Sequence, residues 1–135
     1  MPFVVDCSVT ACWYIEGQAT VYADRVLAAL ETEVAYAPAL WRLEMANLVL
    51  KLERRKFLTP KEAEAVIETA AKLPIVVHEE VFGLKDVHQF GRTQMLSSYD
   101  ASYLLLAMRL SVEVATQDAA MIAACERLSI PIFKR

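Results

Sequence analysis

The chain opens with a strand that its own residues allow only in the interior. Phe3, Val4 and Val5 are consecutive, apolar and strand-favouring, and they run straight into one carboxylate, Asp6, followed by Cys7 and Ser8. A continuous apolar run, unlike an alternating one, marks a strand buried on both faces. Asp6 is therefore expected at the carboxyl end of a central strand, where open α/β sheets place their ligand crevices. The rest of the chain can be read by asking which other carboxylates reach that end.

Ser8 is a candidate cap for a helix running to about Glu16, with Trp13 and Tyr14 as packing residues and Gly17 as its breaker. A second helical pattern covers about Gln18 to Glu33, with Val21, Tyr22, Arg25, Val26, Ala29 and Leu30 at three- and four-residue steps. Val34-Ala35-Tyr36 is a short strand stopped by Pro38. From Ala39 to about Lys56 the helical period is strong, with Leu40, Trp41, Leu48 and Leu52 on or near one stripe and Glu44 among them. Thr59-Pro60-Lys61-Glu62 is a helix start, with a hydroxyl cap, proline at the first helical position and an acid in the first turn. That helix runs to about Leu73 and ends at Pro74.

Ile75-Val76-Val77 reads as a third strand, and Glu79 to about Thr93 as a helix with Val81, Leu84, Val87, His88 and Gly91 in register. Ser97-Ser98-Tyr99-Asp100 opens a helix to about Leu110, and Asp100 heads its apolar stripe of Tyr103, Leu104, Ala107 and Met108. Val112 to Ala115 is a fourth strand feeding Thr116-Gln117-Asp118 and a helix from about Ala119 to Leu128. Ile130 to Phe133 is the candidate for a last edge strand, a place that tolerates Pro131. Strands alternating with helices of these lengths indicate an α/β sandwich with a central parallel sheet of about four to five strands flanked by helices.

At 135 residues the chain suits a single domain, residues 1–135, able to bury about two thirds of its unfolded surface. An apolar share of 56% excludes disorder. No apolar run approaches the roughly 20 residues of a membrane span, and no basic leader precedes the first strand. A soluble, cytoplasmic protein is expected. The net charge of −3 argues against nucleic-acid binding by bulk electrostatics. It does not exclude a nuclease, since divalent cations in a carboxylate cluster invert the local sign. Cys7, Cys12 and Cys125 show no metal-binding spacing and read as small buried hydrophobes.

Four acids then stand out: Asp6 and Asp118 after strands, Glu44 and Asp100 on inward helix faces. Each has a plain structural reading. Asp118 or Thr116 can cap a helix, Asp100 can be first-turn charge, and Asp6 can be a turn residue. Glu44 is hardest to explain that way, because a mid-helix acid normally faces water. Carboxylates that converge repel one another unless cations share the site. An oxygen-only set of this kind suits Mg²⁺ or Mn²⁺, whose chemistry includes phosphodiester hydrolysis.

Four segments carry a family resemblance: Val4-Val5-Asp6-Cys7-Ser8, Pro38 to Asn47 around Glu44, Tyr99 to Ala107 around Asp100, and Ala115-Thr116-Gln117-Asp118. Together they resemble the PIN-domain ribonucleases, specifically the VapC-type toxins of prokaryotic type II toxin–antitoxin pairs. The resemblance spans nearly the whole chain in the family's order. It implies a PIN-like three-layer sandwich and an endoribonuclease dependent on Mg²⁺ or Mn²⁺. It also implies an RNA substrate, a homodimer or higher oligomer, and inhibition by a small VapB-like antitoxin. Carried over by position, Asp6, Glu44, Asp100 and Asp118 form the catalytic metal site, and Ser8 and Thr116 fall where the family has supporting hydroxyls. Cys7 replaces the alanine or threonine common at its place.

The residues that bind RNA are less legible. Lys51, Arg54, Arg55 and Lys56 fit a solvated helix end better than phosphate contacts. Trp13, Tyr14 and Trp41 are explained by core packing without base stacking, and His78 and His88 have no ligand spacing. Two other readings compete: a nuclease of the same fold in RNA processing or DNA metabolism without an antitoxin, and a non-enzymatic phospho-acceptor module. The second calls for an acidic pair after the first strand and a lysine after the last, whereas Asp6 stands alone and Lys134 lies at the terminus.

Overall fold

Strands and helices alternate along the computed structural model, which describes residues 1–79 and 82–135. In chain order they are β1 (Phe3–Val5), α1 (Cys7–Cys12), α2 (Val21–Ala29), β2 (Ala35–Pro38), α3 (Leu40–Arg54), α4 (Pro60–Ala71), β3 (Ile75–His78), α5 (Leu84–Gln94), α6 (Ser98–Leu110), β4 (Glu113–Ala115) and α7 (Ala119–Leu128). The four strands pair in parallel in the order β3-β2-β1-β4. From β1 the chain builds outward through β2 and β3, then crosses back to lay β4 on the other side of β1. The sheet order thus reverses at the β1/β4 junction, the kind of switch point where α/β sheets open a crevice at their carboxyl ends.

The apolar opening run does what its pattern demands. Phe3, Val4 and Val5 are all fully buried. Val4 packs into a core with Trp41, Met45, Tyr103, Leu104 and Met121. Phe3 and Val5 point the other way, into a core with Val9, Val26 and Phe133. Two cores on opposite faces of one sheet make a three-layer sandwich, as expected. Burial of each such side chain contributes about 1.5–3 kcal/mol. The Asp6 N–H continues the ladder beyond β1 by donating to Ala115 O at 3.0 Å.

Local differences from the sequence reading have identifiable causes. α1 has its N-cap position at Asp6, two residues earlier than a Ser8 cap would place it, and it ends at Cys12, not near Glu16. Residues 13–17 form turns that lead to Gly17 at φ +82°. α2 starts three residues later than Gln18, because Thr20 supplies its side-chain cap to the Ala23 N–H, and it ends at Ala29, short of Glu33. Pro38 lies within β2, not after it, opposite His78. The Thr59/Glu62 start is a full capping box. Ile130 to Phe133 is not a strand: only the Val114–Ile132 bridge forms, with the Val114 N–H donating to Pro131 O and the Phe133 N–H to Val114 O. Pro131 has no N–H of its own for a regular ladder. The helix expected from Glu79 begins at Leu84, and the register assigned to Val81 lies outside the described residues.

Candidate active site

Asp6 emerges from the end of β1 almost completely buried, with 4% of its surface exposed. It occupies the N-cap position of α1, yet its carboxylate makes no capping bond. Two hydroxyls engage it instead. Ser8 Oγ donates to Asp6 Oδ2 at 2.6 Å, and Thr116 Oγ1 donates to the same oxygen at 3.0 Å. Ser8 is thus a partner of Asp6 and not a helix cap. Thr116 also accepts the Asp118 N–H at 3.1 Å, so one hydroxyl ties the turn after β4 to the carboxylate after β1.

The other three acids arrive from separate helices. Asp118 caps α7, its Oδ2 accepting the Met121 N–H at 2.9 Å. Asp100 sits in the first turn of α6 beneath the Ser97 cap. Glu44 lies in α3, whose buried side chains are Trp41, Met45 and Val49. The expected stripe of Leu40, Leu48 and Leu52 is half-buried and flanks that face, and Glu44 shares its column. This edge position answers the cost of a mid-helix acid: Glu44 is packed on one side and open on the other. The Tyr103 hydroxyl donates to Glu44 Oε1 at 2.5 Å.

All four acids border one open cavity of about 360 Å³, together with Cys7, Ser8, Asn47, Leu48 and Lys51. The cavity lies at the carboxyl ends of β1 and β4. Three of the acids stand at helix N-termini, where the backbone dipoles favour negative charge by about 0.3–1 kcal/mol each. At Asp6 and Asp100, burial and mutual repulsion outweigh that help. Asp100 is pushed up from 3.8 to about 6, mainly by loss of hydration and then by the charges of Asp6 and Asp118. Burial also raises Asp6, against the pull of its Ser8 and Thr116 bonds and with a smaller contribution from Asp118. Glu44 rises through burial and the charges of Asp6 and Asp100, although the Tyr103 bond opposes it. The Cys7 thiol is pushed up to about 12 by burial, Glu44 and Asp6. It stays protonated and is no nucleophile at neutral pH.

Among the described residues none of the four acids forms an ion pair, so no protein cation relieves the repulsion. Nor, among the described residues, do any three His, Cys, Asp or Glu side chains already stand together as a finished ion cage. Like charges without a counter-ion repel one another. The donor chemistry fits a hard divalent cation: carboxylate oxygens, hydroxyls beside them, and neither thiolate nor imidazole available as a soft ligand. Asp6 Oδ2, Glu44 Oε1 and Asp118 Oδ2 each accept a hydrogen bond from a protein donor.

Sequence reasoning placed the four acids and both hydroxyls at this spot. It did not single out Asn47 or Tyr103, and it read Lys51 as a solvated helix end. Lys51 follows Glu44 by seven residues, two helical turns, so it continues the column that carries Glu44. That spacing was a usable signal. The Tyr103–Glu44 bond joins α6 to α3 and has no counterpart in any local pattern.

No protein-family profile matches the chain. It is 28% identical over 120 residues to ribonuclease VapC3 of Pyrobaculum aerophilum, covering 87% of this chain and 90% of that protein. The fold is similar to the crystal structure of FitAcB from Neisseria gonorrhoeae, with a TM-score of 0.68 and 19% identity over 99% of this chain and 97% of the other. It is also similar to the crystal structure of PAE2754 from Pyrobaculum aerophilum, with a TM-score of 0.64 and 20% identity over 92% of this chain and 84% of the other.

Proposed function

We propose that this chain, whose sequence and PIN-like fold resemble the VapC-type ribonucleases, is a divalent-metal-dependent endoribonuclease and the toxin of a toxin–antitoxin pair. The observation that carries the reading is the meeting of Asp6, Glu44, Asp100 and Asp118 around one cavity from four separate segments. In this reading the four carboxylates hold Mg²⁺ or Mn²⁺. When bound, the ion supplies Lewis acidity at a phosphoryl oxygen and a water acidic enough to attack near neutral pH.

The chain's own residues do the rest. Ser8 and Thr116 fix the rotamer of Asp6 and hold its charge against burial. The N-termini of α1 and α6 keep Asp6 and Asp100 ionised more readily than burial alone would allow. Lys51, on the rim beside four acids, gives an RNA phosphate a cation to meet where the surface otherwise repels it.

Partners and setting follow the same reading. The groove between α3 and α4, bordered by Val49, Leu50, Ala63 and Ile67, supports an antitoxin segment with an apolar face. Exposed Leu84, Met95 and Tyr99 support a second copy of the chain. No helix among the described residues is long and apolar enough to cross a membrane, in keeping with a cytoplasmic toxin. The test is cleavage of RNA by purified protein. Cutting is expected with Mg²⁺ or Mn²⁺ and is expected to vanish in excess chelator and in Asp100→Asn. Undiminished cutting by that variant rejects the assignment.

A further inference from the structure

Tyr103 is fully buried, yet it carries a hydroxyl aimed at the edge of the acidic cavity. It lies three residues after Asp100 on α6, so both share one helix face. The same helix therefore presents one acid directly and reaches a second, Glu44, across the gap to α3. Glu44 needs such a hold. Its side chain has three torsions, its neighbours repel it, and only one flank of it is packed. The 2.5 Å bond fixes Oε1, and Glu44 borders the cavity.

We propose that Tyr103 is a positioning residue for Glu44, setting the orientation in which that carboxylate meets a divalent cation. The inference rests on the metal-site reading above and deepens it. A purely structural role predicts something different. Phenylalanine at 103 would keep the buried ring and its packing, and water would satisfy the half-open Glu44, so nothing beyond the bond would be lost. A positioning role predicts a defect in ion binding itself, because groups that orient metal ligands typically change affinity by about 10–100-fold.

The experiment is direct Mn²⁺ binding, followed by the paramagnetic signal of the free ion, for the parent, Tyr103→Phe, Glu44→Gln and the double variant, with metal-free melting recorded for each. Tyr103→Phe is expected to melt close to the parent and to bind Mn²⁺ about tenfold or more weakly. In the Glu44→Gln background the same change is expected to have no further effect, since the residue acts through Glu44. Parental affinity in Tyr103→Phe overturns the positioning role and leaves the metal site standing, as do losses that multiply in the double variant. Absence of Mn²⁺ binding by the parent overturns both. Should Tyr103→Phe fail to fold, Glu44→Asp, which draws the carboxylate back from an intact Tyr103, is expected to show the same loss, and parental binding there overturns the proposal.

Discussion

Thr116 Oγ1 donates to Asp6 Oδ2 at 3.0 Å, joining the ends of the two adjacent strands β1 and β4 across 110 positions of sequence. The same hydroxyl accepts the Asp118 N–H. One small side chain thus sets the spacing of two acids that would otherwise repel freely.

Removing that donor is expected to be expensive. Thr116→Val keeps the shape but strips a buried carboxylate of one of its two hydroxyl bonds, for an expected loss of about 1–3 kcal/mol in denaturant unfolding at neutral pH. Ser8→Ala, at an exposed hydroxyl that water can replace, is expected to cost less, about 1 kcal/mol or under. Equal losses would argue against burial as the deciding difference.

The metal-free protein is expected to lose stability as pH rises from about 4 to about 6. Asp100 titrates near 6 when folded and near 3.8 when unfolded, so between those values the folded state binds more protons. Stability then falls with rising pH and levels off above the folded value. The full difference corresponds to about 3 kcal/mol, which solvent screening at a half-exposed group reduces to about 1–2 kcal/mol. Asp6 and Glu44, both raised, act in the same direction. Thermal melting of Asp100→Asn across this range should show a flatter profile than the parent.

Mn²⁺ should reverse that loss. An ion bound only by the folded state stabilises it by about 2.7 kcal/mol at a hundred times its dissociation constant. The melting temperature is therefore expected to climb with Mn²⁺ concentration, and to climb far less in Asp6→Asn. A melting curve indifferent to Mn²⁺ would mean that the acids do not share a cation.

Lys51→Ala, tested in the cleavage-dead Asp100→Asn background, is expected to weaken RNA binding without regard to sequence. A lost phosphate contact should lower the slope of log affinity against log salt by about 0.7 to 1. An unchanged slope would return Lys51 to the solvated helix end suggested by its neighbours Arg54, Arg55 and Lys56.

The parts of this site written into short windows were the parts legible in the sequence. Val4-Val5-Asp6 announces a buried strand with an acid at its end, because period and burial are local consequences of composition. The Thr59/Glu62 capping box is legible for the same reason. Glu44 was legible as an anomaly but not in its orientation. Its exposure depends on which of two neighbouring columns of α3 faces the core, and Trp41, Met45 and Val49 won that contest as α3 packed against α1, α4 and β2. Ser8 looks like a cap in one dimension. Asp6, only two residues upstream at the N-cap position of α1, accepts that hydroxyl at 2.6 Å instead. Ile130 to Phe133 has strand-like composition, but a ladder needs N–H groups in register, and Pro131 interrupts them. Tyr103 reaches Glu44 across 59 positions, beyond any periodic signal.

The most direct test of the central claim is a crystal structure of this protein soaked in Mn²⁺, read by the ion's anomalous scattering. The account predicts a peak in the cavity within coordination distance, about 2.0–2.2 Å, of carboxylate oxygens from the Asp6, Glu44, Asp100 and Asp118 group. A well-ordered crystal at saturating Mn²⁺ with no peak there, or with the ion held elsewhere, would contradict it.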